Sequence, residues 1–154
     1  MRRFLILMLF IAVVAGACNR SKFNTKPTLT LKSQNGDLVP VGATLVLDFE
    51  FTDKEGDVDD TIYLRKIRIN TIKVPTIRDS LALKVPTFPK NTKGEIRLTL
   101  DYNGYMISAI NPPSDPLNPG KKISDTLMMK FALKDRAKNI SDTVTVGPII
   151  VLRQ

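Results

Sequence analysis

From Pro27 onward, apolar and polar residues alternate with a period of two, broken at short intervals by Gly, Pro, Asn and Asp, and no stretch sustains helical periodicity. The clearest run is Thr44 to Thr52. It sets Leu45, Leu47, Phe49 and Phe51 on one face and Asp48 and Glu50 on the other, the pattern of a strand lying over a core. Thr28 to Ser33 alternates more weakly. Asp79 to Val85, Glu95 to Tyr102, Tyr105 to Ile110, Asp125 to Asp135 and Asp142 to Leu152 are further strands. Thr61 to Asn70 places Ile62 and Leu64 in one phase and Ile67 and Ile69 in the other, so a β-bulge near Arg65-Lys66 is expected to restore one inward face. The total is about eight strands.

Between two of these runs stands Asn103-Gly104, a dipeptide suited to the positive φ angles of a type I′ turn. As a hairpin loop it would set Tyr102 against Tyr105, Leu100 against Ile107 and Leu98 against Ala109, with every pair apolar or aromatic. The proline-rich stretch from Asn111 to Gly120 cannot be an interior strand and reads as a long exposed connection, a recognition loop or a crossover between sheets. Short antiparallel strands at this spacing predict an all-β fold, a single immunoglobulin-like antiparallel sandwich over residues 27–154.

The first seventeen residues have another character: Arg2 and Arg3, an apolar run from Phe4 to Val14, then small residues. This is a secretory signal peptide, too short for the roughly 20 apolar residues that cross a bilayer. Ala15-Gly16-Ala17 fits ordinary A-x-A cleavage, which would leave Cys18 a free thiol. Ala15-Gly16-Ala17-Cys18 also resembles the lipobox of bacterial lipoproteins. That resemblance implies a diacylglycerol on Cys18 and a protein anchored to the membrane rather than spanning it. Residues 18–26 then form a lipidated terminus and polar tether, its last eight residues reaching at most about 26 Å at roughly 3.3 Å each.

Without the leader, 21 basic residues stand against 15 acidic ones, a net charge of about +6. For an exported protein such a surface favours anionic lipid, acidic polysaccharide or an envelope protein over nucleic acid; equally, the charge serves solubility alone. The densest basic stretch is Arg65, Lys66 and Arg68, followed by Lys73 and Arg78. The sequence contains no histidine, which excludes Ser-His-Asp and Cys-His catalysis, and no tryptophan, the residue that most often stacks on sugars. The expectation is a protein that is not an enzyme.

Two stretches, Phe49-Glu50-Phe51-Thr52-Asp53-Lys54-Glu55-Gly56-Asp57 and Phe131-Ala132-Leu133-Lys134-Asp135-Arg136-Ala137-Lys138-Asn139-Ile140-Ser141, resemble motifs of bacterial immunoglobulin-like and cadherin-like surface domains. With the lipobox they are similar to small lipoproteins of Bacteroidetes-type bacteria. Lys138 stands where that family often has glycine. Surface-exported members carry acidic residues after the cysteine, whereas Asn19-Arg20-Ser21-Lys22 has none, which implies an outer-membrane protein facing the periplasm.

Asp53, Glu55, Asp57 and Asp59, followed by Asp60, concentrate hard oxygen donors after a strand, and Asp135 and Asn139 lie in a later loop that reaches the same end of a sandwich. Ca²⁺ takes six to eight oxygens, so a calcium clamp between loops is one reading. A plain acidic turn is the other, since Asp and Gly are ordinary turn formers and the spacing is not that of an EF-hand. The sequence as a whole reads as a non-catalytic, lipid-anchored binding or scaffolding module of the envelope, with a calcium-stabilised surface adhesion module as the alternative and a hydrolase using paired carboxylates further behind.

Overall fold

The computed structural model describes residues 26–154; the expected leader, Cys18 and the expected tether up to residue 25 lie outside the described residues. Among the described residues eight strands form two sheets: β1 (Thr28–Gln34), β2 (Leu38–Val39), β3 (Thr44–Thr52), β4 (Thr61–Arg68), β5 (Ser80–Lys84), β6 (Lys93–Asp101), β7 (Lys122–Lys134) and β8 (Val144–Arg153). One sheet has the order β1-β3-β6 and the other β2-β8-β7-β4-β5, and the two pack as an all-β sandwich. All neighbours are antiparallel except β2, which runs parallel to β8.

The alternation of β3 is obeyed: Leu45, Leu47, Phe49 and Phe51 are buried. They face Ile62 and Leu64 of β4, Leu127, Met129, Phe131 and Leu133 of β7, and Ile149 and Val151 of β8 in one core. Phe49 and Phe131 join the sheets with ring centroids 5.0 Å apart at 52°, a tilted geometry that suits aromatic quadrupoles. No helix among the described residues is long and apolar enough to cross a membrane.

Three expectations are corrected. The bulge at Arg65-Lys66 does not exist: β4 pairs with β7 in unbroken register from Thr61↔Lys134 to Arg68↔Leu127. The inward face of β4 is therefore Ile62, Leu64 and Lys66, while Ile69 past the strand is exposed.

The Asn103-Gly104 hairpin is replaced by a wide π-helical turn over Tyr102–Met106, and Tyr105 to Ile110 is not a strand. Gly104 donates its N–H to Asp101 Oδ1 at 2.6 Å, and the Tyr102 hydroxyl donates to Leu152 O at 2.6 Å. These contacts bury Tyr102 and Met106 together, which a two-residue loop with side chains alternating across it would not allow.

The place of the lost strand in the count is taken by the two-residue β2, too short to carry an alternation. The stretch from Asn111 to Gly120 joins β6 in one sheet to β7 in the other, a crossover.

The sandwich has two poles. At one, β3 ends and β4 begins, β7 ends, and β1 enters with Thr28 opposite Thr52. At the other lie the ends of β4, β6 and β8 and the start of β7.

Candidate functional site

Asp53 is the first residue past β3. Its Oδ2 accepts hydrogen bonds from the N–H groups of Gly56 at 2.7 Å and Asp57 at 3.2 Å, which curls the loop back on itself. Gly56 has φ +67°, and a Cβ there would lie 2.9 Å from the backbone N of Asn91, so this turn requires glycine. Asp135, the first residue past β7, is built alike: its Oδ1 accepts from Asn139 N at 2.7 Å and its Oδ2 from Asn139 Nδ2 at 2.8 Å. Arg136 N donates to Asp57 O at 3.0 Å and ties the two loops together.

The result is a convergence of four carboxylates. Asp53, Glu55, Asp57 and Asp135 each place an oxygen within 4.8 Å of the others. Oxygens on opposite sides of one calcium ion lie about 5 Å apart, twice a Ca–O distance, so the spacing fits a common ion. Asp53 is 4 % exposed and Asp135 is fully buried, and the Oδ1 atoms of Asp53 and Asp57 are buried without a hydrogen-bond partner. Burial, reinforced by the Asp135 and Asp53 carboxylates, pushes the Asp57 carboxyl above its ordinary value. Like charges about 4–5 Å apart at the protein surface repel by roughly 3–4 kcal/mol, so the group calls for either a cation or a shared proton.

Of the six residues expected to ligate calcium, four meet. Asp59 turns aside to accept a hydrogen bond from Arg136 Nη2 at 2.5 Å, and Asn139 is engaged with Asp135. Asp60 sits 3.4 Å from Lys134 and 3.3 Å from Lys138. Lys138, at the position where glycine is usual in the resembled family, adopts φ +75°, so the tight turn is kept with a strained residue.

The basic stretch does not stay together. Arg65 points outward; Lys66 is buried, its Nζ donating at 2.7 Å to the carbonyls of both Tyr105 and Ile107. Desolvation there lowers the Lys66 pKa from 10.5 to about 8. Arg68 Nε donates to Asp125 Oδ1 at 2.6 Å, with the two side chains 3 % and 0 % exposed. Asp125 Oδ2 in turn accepts from the N–H groups of Ser108 at 3.2 Å and Ala109 at 3.1 Å. This second polar cluster, at the pole opposite the carboxylates, holds the backbone of the segment after the π-turn. Single-strand periodicity gave no sign of it, because its partners come from β4, β7 and an irregular segment.

No protein-family model matches the chain, and no curated protein matches it.

Proposed function

We propose that this chain is a non-catalytic binding or scaffolding module, tethered to the bacterial envelope by a lipid on Cys18 and facing the periplasm from the outer membrane. The observation that carries the reading is the point of entry into the fold. β1 begins at Thr28 opposite Thr52, so a lipid on Cys18 would tether the sandwich from its carboxylate pole and leave the opposite pole farther from the membrane. The strand order supports an immunoglobulin-like assignment: β1-β3-β6 corresponds to the A-B-E edge and β8-β7-β4 to G-F-C. The absence of histidine from the sequence, which removes Ser-His-Asp and Cys-His arrangements, supports binding over catalysis. Mass spectrometry of the processed amino terminus tests the anchor. Acyl chains on Cys18, with release from the membrane fraction in Cys18→Ser, are the expected result, and a bare thiol or a retained leader overturns it.

A second element, calcium stabilisation, is favoured by the partnerless buried oxygens of Asp53 and Asp57. Asp53, Glu55, Asp57 and Asp135 would hold the ion, which would neutralise their repulsion and lock the two loops. Its location at the tether pole favours a structural clamp over an adhesive tip. An ion at 100 times its dissociation constant adds about 2.7 kcal/mol. The full chain in neutral detergent is therefore expected to melt several degrees higher in millimolar Ca²⁺ than in chelator; an unmoved transition ends the idea. Protease accessibility on intact cells separates a periplasmic module from one displayed outward.

A further inference from the structure

We propose that the exposed face of the five-stranded sheet is a binding site for acidic polysaccharide, with Tyr63 as the stacking surface for a sugar ring and Arg65, Lys130, Lys84 and Lys134 as partners for its anionic groups. The proposal rests on the reading of the chain as a binding module and names the ligand class.

The two sheets treat their outward charges in opposite ways. On the three-stranded sheet they are paired, save Asp101 at the end of β6. Arg97 grips Asp48 with Nε at 2.7 Å and Nη2 at 3.1 Å, Lys93 lies 3.2 Å from Glu50, and Lys32 bonds Glu95. On the five-stranded sheet the outward positions of β4 and β5, and of β7 from Thr126 to Lys134, include no acidic residue. Arg65, Lys84 and Lys130 have no ion-pair partner among the described residues, and Lys134 reaches both the rim residue Asp60 and the Tyr63 side chain.

The register makes this a pattern rather than a scatter. One row across the strands reads Ser80–Arg65–Lys130–Thr145, the next Ala82–Tyr63–Ala132 and the third Lys84–Thr61–Lys134. Arg65 and Lys130 are directly opposite each other, an arrangement that destabilises a sheet unless an anion lies between them. The two cationic rows are four residues apart along β4, about 13 Å. Midway stands Tyr63, 37 % exposed. Ala82 and Ala132 flank it in the row, and the adjoining hollow of about 420 Å³ runs along Tyr63, Arg65, Lys130 and Thr143. An amphipathic aromatic plate between two lines of cations suits a chain of rings bearing carboxylate or sulfate groups.

The test uses the full chain in neutral detergent with alginate, a polyuronate, as probe. Heparin serves as a sulfated polymer, dextran as a neutral one, and vesicles containing phosphatidylglycerol as an anionic surface. Alginate binding that weakens steeply with salt, with heparin bound as well and dextran ignored, is expected. Arg65→Glu with Lys130→Glu should lower alginate affinity at least tenfold while the melting temperature stays level, because the opposed pair is like-charged before and after the change. Tyr63→Thr should weaken alginate severalfold and leave any vesicle binding unchanged. Alginate binding that survives the double reversal overturns the site, as does binding confined to vesicles or a failure to bind either polymer. Acylation of Cys18 is read by mass in the same preparation. An acylated protein that binds neither polymer loses the ligand assignment alone, whereas an unacylated protein that binds alginate loses the anchor alone.

Discussion

The buried Lys66 ammonium replaces a β-ladder with two charge-assisted hydrogen bonds, to the carbonyls of Tyr105 and Ile107. Its pKa of about 8 lies below the unfolded value of 10.5, so between those limits the unfolded chain holds the extra proton and stability rises with pH. Arg78 and Arg153 reinforce the lowering, and Asp79 and Asp125 oppose it. Above pH 10 the Tyr102 hydroxyl, whose pKa burial raises, works the other way, so the usable window is about pH 8 to 10. Across it a gain of roughly 2–3 kcal/mol is expected in chemical denaturation, and a flat profile in Lys66→Met. Lys138 offers a simpler test: with φ +75°, Lys138→Gly should relieve strain and stabilise the fold by about 0.5–1 kcal/mol in the same assay. A loss of stability would mean that its contact with Asp60 at 3.3 Å outweighs the strain.

Among the elements, β3 was fully legible, because nine residues over a core must alternate and both its ends came out as expected. β4 was half legible. Its first residues set the phase, but the apolar Ile67 and Ile69 suggested a shift that the register with β7 excludes, and the inward place goes to Lys66. A lysine there makes sense only once the carbonyls of a distant irregular segment are known to need a donor. The π-turn was misread for the same reason. Asn-Gly favours I′ geometry locally, but the Asp101 cap, the anchoring of Tyr102 on Leu152 O and the N–H groups bound by Asp125 outweigh that preference. Asp125→Ala is therefore expected to cost about 3–5 kcal/mol, measured by denaturant titration, since it strands Arg68 and two buried N–H donors. A loss below 1 kcal/mol would show that the segment does not depend on this network.

Across the whole molecule the poles and faces are divided: carboxylates gather where the chain enters, and uncompensated cations spread over one sheet. If the carboxylates form a cation clamp, Asp53→Asn has opposite effects in two conditions. In chelator it should raise the melting temperature by lessening repulsion, and in calcium it should abolish most of the metal-induced gain. Scanning calorimetry reads both, and a variant that still gains fully from calcium would remove Asp53 from the clamp.

The sequence by itself determined the class of fold, the lack of histidine for any catalytic role, and an acidic loop beside Asp53. All of these are written in local composition or in a period of two. Which carboxylates meet, which member of the basic stretch is buried, and which cations share a face were decided by the tertiary structure alone. The reason is geometric: these groupings join residues from separate strands, and strand register and loop packing, fixed by the shared core, set the distances over which charges act.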